Sequence, residues 1–385
     1  MENSVVAYII WRANPEIFSL NGFTLRWSAL LLILAFLVSR QILLSVFKKE
    51  GRPVHAVSYL CIYLAVVALA GARLGYLIFY EPRALFSKGL SVVLPFSFEP
   101  DFRLLPPDEF SLHGAVLATL IFLWFYSRKN PLKQHYFQLL DRIALVAALS
   151  GAFLFVSSFF SLSREGKPTD SFIGTVAISP VQRGLMRVPC CIMRSPDGKN
   201  PLERVAVRRD PVPPIDENSQ KSLILYLFFK PGASERLVNE FLIGDVKTFL
   251  YEKPGFVYEP GDQPLHYRIF LERDGKYIAR VQTMGIARYP VAVFEAAVCL
   301  AIFIFLWFHA EMKAAGKVFG LANILFWSFH SGFGFLTEGV SPIEIVLNIL
   351  FILVGMTVLI LSYRRSLASA GAATGAGEKI LSGKD

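Results

Sequence analysis

Cysteine is scarce in this chain, four residues in 385. Cys61 and Cys299 fall inside long apolar stretches, where a thiol serves as a small packing group. Cys190 and Cys191 are adjacent and poorly placed to bridge each other, so no disulfide framework is read. No segment recurs at a fixed period, which sets aside repeat architectures. The residues before the first apolar stretch lack a clear basic region, and that stretch is too long for a cleaved leader. The first span is therefore expected to double as the insertion signal. Charge is also sparse, at 18% of residues, against 54% hydrophobic and 14% aromatic. Together with a positive mean hydropathy, that balance excludes an ordinary soluble domain and indicates an integral membrane protein.

A helix needs roughly 20 apolar residues to cross a bilayer. Candidate spans lie at 25–47, 56–80, 111–127, 142–162, 290–309, 318–336 and 343–363. Basic residues follow every second end: Lys48, Lys49 and Arg52; Arg128, Lys129 and Lys133; Lys313 and Lys317; Arg364 and Arg365. The positive-inside rule makes those ends cytoplasmic, which places the N-terminus outside and the C-terminus inside. The net charge of +9 needs no nucleic-acid partner, because contact with an anionic inner leaflet accounts for part of it.

The segment 163–288, expected outside the membrane, is far longer than an ordinary connection. Its first half carries Pro201, Pro211, Pro213 and Pro214 and reads as an extended arm. Its second half reads as a folded α+β unit. Ser222 to Lys230 suggests a buried strand and Ser234 to Glu252 an amphipathic helix, while Leu265 to Leu271 and Tyr277 to Gln282 flank the turn pair Asp274-Gly275. The expected fold is thus an all-α membrane bundle of seven transmembrane helices with an inserted external α+β domain. Its parts are 1–162 (helices 1–4), 163–288 (external insert), 289–365 (helices 5–7) and 366–385 (a disordered Gly- and Ala-rich cytoplasmic tail).

Arg73, His113, Glu295 and His330 sit inside or at the ends of apolar stretches, and the topology brings all four toward the outer half of the bilayer, with Glu344 near the start of the last span. Ionisable groups in hydrocarbon are functional candidates by default. A guanidinium suits a phosphate, and a histidine can move a proton near neutral pH. Each residue has a plainer reading: Arg73 snorkelling to headgroups, His113 resting at the interface, Glu295 and His330 forming a structural pair. Their joint placement is compatible with a catalytic pocket, a lipid site or a conduction site. The last is disfavoured because no second cluster completes a path.

At these residues the chain resembles the prolipoprotein diacylglyceryl transferases. The resemblance rests on Asn14-Pro15-Glu16-Ile17-Phe18, Leu25-Arg26-Trp27, Gly71-Ala72-Arg73-Leu74-Gly75-Tyr76 and Ser111-Leu112-His113-Gly114. It continues through Gly166-Lys167-Pro168-Thr169-Asp170, Arg288-Tyr289-Pro290, Phe294-Glu295, Gly316, Gly320 and Phe329-His330. The resemblance implies transfer of a diacylglyceryl group from phosphatidylglycerol to a lipobox cysteine thiol, in a bacterial inner membrane. It implies His113 as the catalytic base and Arg73, Tyr76, Gly114, Glu295 and His330 as substrate-binding residues, with a phospholipid and a prolipoprotein as partners and no cofactor or metal. The family's arginine and asparagines at the end of span 4 read here as Phe155, Ser158 and Ser161, and its following glutamate as Ser163. In span 6 its tyrosine, arginine and glutamate read as Phe326, His330 and Gly334. Ser28, Tyr289 and Phe294 replace a tyrosine, a histidine and a tyrosine. A catalytically inactive relative, scaffolding lipid while its external domain binds another envelope protein, is the alternative.

Overall fold

Each apolar stretch folds as a helix of at least 18 residues in the computed structural model. It describes residues 8–12, 14–20, 23–88, 96–97, 103–104, 110–129, 132–188, 200–209, 221–252, 255–309 and 314–382. The long helices, numbered here without the short ones, are α1 Trp27–Lys49, α2 Val54–Phe79, α3 Leu112–Lys129, α4 Tyr136–Ser161, α5 Val291–His309, α6 Lys317–Gly334 and α7 Pro342–Ser382. Five of them are long and apolar enough to cross a bilayer: α1, α2, α4, α5 and the Pro342–Ala368 part of α7. At 18 residues, α3 and α6 rise about 27 Å. Their polar residues, His113 with Arg128 and Lys129, and Lys317 with Asn323 and His330, dilute their apolar character. The molecule is a mostly helical membrane protein with some sheet.

The chain divides into two compact units, one of Glu16–Arg164 with Val291–Asp385 and the other of Met1–Pro15 with Glu165–Pro290. In the helical unit α4 is central, touching α1, α5 and α6, while α2 packs on α3 and α6 on α7. Arg40, a charge inside the first span, donates to Ser58 Oγ of α2 at 3.1 Å. Ser39 of α1 meets Ser150 of α4, Oγ to Oγ, at 2.8 Å. Leu43, Phe47, Val57, Leu60, Leu123 and Leu139 form a buried cluster between α1, α2, α3 and α4. Cys61 and Cys299 are buried free thiols. Cys190, Cys191, Pro211, Pro213, Pro214 and Lys313 lie outside the described residues.

Span 4 starts at Tyr136, six residues before its expected boundary at 142, because the charges that seemed to end the apolar run are absorbed. Asp141 is fully buried, and its carboxylate accepts the backbone N–H groups of Gly316 at 2.7 Å and Phe319 at 2.8 Å. It thereby caps the N-terminus of α6, where donors have no partner within the helix. Gly316 itself adopts φ +95, which favours glycine. Arg142 is paired with Glu50 at 2.7 Å. The last helix also departs from expectation, running to Ser382 through the stretch expected to be a disordered tail. Alanine is the strongest helix former, and that stretch is rich in it.

In the second unit the chain forms a sheet in the order Tyr267–Leu271, Tyr277–Gly285, Lys221–Phe229, Leu202–Arg209, with Val257–Tyr258 pairing at the end of Tyr277–Gly285. All of these pairings are antiparallel. The hairpin turns at Gly275, φ +79. One sheet face, with Val205, Leu225, Leu227, Phe229, Ala279 and Val281, is buried. The helix following Ser234 spans Glu235–Phe241 and Lys247–Glu252 with one π turn between, and Ser234 caps it by accepting the Leu237 N–H. Its Phe241 meets Phe229 edge to face at 6.1 Å. The expected arm is corrected: its described residues hold strand Thr175–Ala177, helix Ser179–Arg187 and edge strand Leu202–Arg209. The N-terminus joins this unit too, since Ile9–Trp11 pairs in parallel with Thr175–Ala177.

Two of the motif pieces, Gly166 to Asp170 and Arg288 to Pro290, close this unit where the chain enters and leaves it. Thr169 N–H donates to Ala287 O at 2.8 Å and Tyr289 N–H to Lys167 O at 3.2 Å. The Arg288 guanidinium donates to Gly255 O at 2.7 Å and Gly166 O at 3.0 Å. A Cβ on Gly166 would stand 2.1 Å from Tyr289 O, so only glycine fits.

Candidate active site

Three glycines set the start of α3. A Cβ on Gly75 would lie 2.4 Å from Gly114 Cα, and one on Gly114 2.3 Å from Gly71 O, so α2 and α3 touch backbone to backbone. Ser111 N–H donates to Ala72 O at 2.9 Å and fixes the register. Gly114 therefore serves this close approach, and its neighbour His113 is directed inward, 2% exposed. The His113 ring stacks on Trp327 of α6 with centroids 4.5 Å apart. Its Nε2 lies 2.7 Å from Asn348 Oδ1 of α7. An amide oxygen only accepts, so Nε2–H donates and Nδ1 keeps its lone pair. Trp327 Nε1 in turn donates to Asn323 Oδ1 at 3.0 Å, and the Asn323 amide donates to Phe351 O. Side chains of two helices, α6 and α7, thus hold the imidazole carried by α3.

A second group is built around His330 of α6. One ring nitrogen is 2.8 Å from Glu295 Oε1 of α5, the other 3.4 Å from Glu344 Oε1 in the first turn of α7. Arg164 joins the same carboxylates, with Nε 3.2 Å from Glu295 Oε2 and Nη2 3.5 Å from Glu344 Oε1. The Glu295 contacts are ion pairs by distance without the alignment of hydrogen bonds. Phe155, Phe326 and Trp327 pack around the His330 ring at 6.1, 5.6 and 5.6 Å. Two carboxylates, a guanidinium and an imidazole therefore face one another inside an aromatic wall.

Arg164 follows this end of span 4, outside the helical position where Phe155 stands for the family's arginine. Phe155 does occupy the helical position, buried against Phe326 and His330. The helix then stops at Leu162, φ 55, with Ser163 N–H returning to Ser158 O at 3.2 Å. That turn brings Arg164 back to Glu295. Ser158 and Ser161, read in place of asparagines, donate instead to their own helix at Leu154 O and Ser157 O.

The expected members divide. Glu295 and His330 are brought together, with Glu344 beside them, and His113 stands one ring away across Trp327, which contacts both histidines. Arg73 is buried on α2 with its guanidinium 5.7 Å from the Tyr76 ring. Tyr76 donates to Glu81 Oε1 at 3.2 Å. Among the described contacts neither is joined to the carboxylates. Arg164 and Asn348 escaped sequence reasoning. The only signal for Arg164 was a cation directly after the apolar run, and for Asn348 an amide one helical turn after Glu344.

A second polar network joins Glu50, Gln134 and Arg142, with Asp141 next in sequence capping α6. These groups are tied to one another or to backbone, which suits helix positioning.

The family described as prolipoprotein diacylglyceryl transferase matches residues 15–364. Among curated relatives, a phosphatidylglycerol–prolipoprotein diacylglyceryl transferase of Chloroherpeton thalassium is 33% identical over 172 residues, 43% of this chain and 57% of that protein. Proteins of the same name from Tolumonas auensis and Bacteroides fragilis are 25% and 27% identical, each match covering 44% of this chain and 61% of the relative. The aligned part thus spans about three-fifths of the length of these relatives.

Proposed function

Because the chain belongs to the prolipoprotein diacylglyceryl transferase family, we propose that it transfers a diacylglyceryl group from phosphatidylglycerol to the lipobox cysteine thiol of a prolipoprotein. It is a multi-pass protein of the bacterial inner membrane. In the proposed layout α3 and α6 also cross the bilayer, making seven spans with the N-terminus outside and the C-terminus cytoplasmic. The unit of Met1–Pro15 and Glu165–Pro290 is then external.

In the proposed step the thiol gives its proton to His113 Nδ1. Its sulfur forms a bond to the terminal glycerol carbon of the diacylglyceryl group as that carbon's bond to the phosphate oxygen breaks. Glycerol phosphate leaves with the electron pair. A thiolate is the effective nucleophile, so a held base matters. The observation that carries this reading is the His113 imidazole fixed through Nε2–H to Asn348, with Nδ1 left to accept. Arg73 and Tyr76 contact the lipid headgroup, Gly114 positions His113, and Glu295 with His330 shapes the pocket. Arg164 supplies a guanidinium for the phosphate in place of the one replaced by Phe155. The test supplies purified protein with phosphatidylglycerol and a lipobox peptide. Thioether product that falls at least a hundredfold in His113→Ala and Arg73→Ala supports the assignment, and undiminished product in His113→Ala removes the base.

A second reading is favoured by Phe155 stacking where a cation is expected and by Arg164 being balanced by two carboxylates. In it the chain is a silent relative that scaffolds lipid while its external unit binds an envelope protein. Complete lack of product under conditions where a family enzyme works selects this reading.

A further inference from the structure

A base that takes a proton becomes a cation, and a buried cation is costly unless something answers its charge. Among the described contacts, no charged group touches the His113 ring. Its neighbours are the Asn348 amide oxygen, the Trp327 indole and the Phe351 ring, the last with centroids 5.8 Å apart. The charged groups that face it from farther off are His330, Glu344 and Arg164. Glu344 favours a positive ring, while Arg164 and a protonated His330 oppose one. These distant charges therefore work against one another, and the charge that His113 acquires has to be met by what lies on the ring itself.

The indole is placed to do this. Trp327 is 1% exposed, so water does not compete for its face. Its plane is tilted by only 17° from that of His113, with centroids 4.5 Å apart, inside the roughly 6 Å over which a cation is drawn to an aromatic face. Of the aromatic residues, tryptophan makes this contact best. An aromatic ring has a positive edge and a negative face, and both are used here. The edge is occupied by Asn323 Oδ1, which accepts Nε1–H at 3.0 Å, while Phe351 packs on the ring at 4.9 Å and holds its orientation. His330 meets the same indole at 85°, so of the two histidines only His113 lies flat against it.

We propose that Trp327 is a positioning residue of this site, its indole face holding the imidazolium that His113 becomes on taking the thiol proton. The proposal rests on the transferase reading, in which His113 is the base. The proton passes from sulfur to Nδ1, and the indole keeps its own on Nε1. The attraction is strong only while the imidazole is charged, so it is gained during the reaction and not on substrate binding. An interaction of that kind raises kcat and leaves KM alone. A packing role for Trp327 predicts no dependence on the electron density of its ring.

The test replaces Trp327 alone, in the full chain, by tryptophans carrying one, two and three fluorines on the indole. Fluorine withdraws electron density from the face and leaves the shape of the ring nearly unchanged, so loss of folding does not enter the comparison. With phosphatidylglycerol and a lipobox peptide, kcat falls stepwise along the series, about tenfold in all, the size of a desolvated cation–π contact, while KM stays constant. A second readout needs no turnover. Nitrogen NMR of the histidine-labelled chain, with His113→Gln identifying the ring, shows the ratio of protonated to neutral His113 at a fixed acidic pH falling at least about threefold. A constant kcat in an active chain overturns the proposal, as does a constant protonation ratio. A rise in KM at constant kcat overturns it too, by assigning Trp327 to substrate binding. If the native chain makes no product beside an active family enzyme, the transferase reading fails, and the protonation ratio alone then decides whether the indole face holds a charged His113.

Discussion

Replacing Arg164 by alanine leaves Glu295 and Glu344 facing each other with His330 alone between them. Removing one partner of a buried ion pair costs about 3–5 kcal/mol, because the remaining charge stays desolvated. The Arg164 side chain is 20% exposed while that of Glu295 is 2% exposed, so water screens one side of the pair and the lower end, about 3 kcal/mol, applies. That is roughly a hundredfold shift in the folding equilibrium. Reversible unfolding of the purified protein in mixed micelles, titrated with dodecyl sulfate, reads it directly. Adding Glu344→Gln to Arg164→Ala removes one of the uncompensated carboxylates and recovers about 1–2 kcal/mol, a coupling expected of residues in one network. Arg164→Lys falls between, since an ammonium keeps the charge and loses the fork that reaches both carboxylates. If Arg164→Ala changes stability by less than about 0.5 kcal/mol, the size expected of an ordinary surface substitution, and shows no coupling to Glu344→Gln, the cluster is not held together by Arg164.

Asp141→Ala strips two backbone N–H groups at the start of α6 of their shared acceptor and lowers stability by about 2–4 kcal/mol in the same assay. Asp141→Asn loses less, because its amide oxygen still accepts one of them. Gly75→Val drives a side chain into the α3 backbone at Gly114 and costs about 3 kcal/mol or more, beyond ordinary overpacking because no side chain can yield; a change under about 1 kcal/mol removes the backbone contact as the reason for glycine. Burial pushes the Glu259 carboxyl above its usual range, against His266 and a Thr283 hydrogen bond, which lower it. A carboxyl raised in the folded state stabilises below its unfolded pKa, and that contribution is lost as pH rises through its folded value. Glu259→Gln is therefore more stable than the native chain at neutral pH, and the difference vanishes on acidification, measured by exchange of the Lys221–Phe229 amides at several pH values.

Apolar length made the helices legible. Each of the seven stretches folds as a helix, and the five long and apolar enough to cross a bilayer satisfy their backbone groups within themselves, as lipid demands. Helix ends were less legible, since a charge at the edge of a run reads as a boundary. Asp141 and Arg142 lie inside α4 because distant residues, Gly316, Phe319 and Glu50, satisfy them, and no local pattern records that. The sheet hairpin at Gly275 was visible as alternation around a turn pair. The strand Leu202–Arg209 was hidden by the prolines around it, and the pairing of Ile9–Trp11 with Thr175–Ala177 is a contact across more than 160 residues of chain. At the site, Glu295, His330 and Glu344 stood out as charges in apolar surroundings. Arg164 did not, because it enters from a turn whose direction depends on the left-handed conformation of Leu162.

The central claim is that His113 serves a transfer reaction. Its most direct measurement is mass spectrometry of a lipobox peptide incubated with the purified chain and phosphatidylglycerol whose diacylglyceryl group is isotopically labelled. The account predicts a thioether adduct carrying the label on the cysteine sulfur, released glycerol phosphate in equal amount, and loss of both in His113→Ala. Absence of labelled adduct beside an active family enzyme contradicts it.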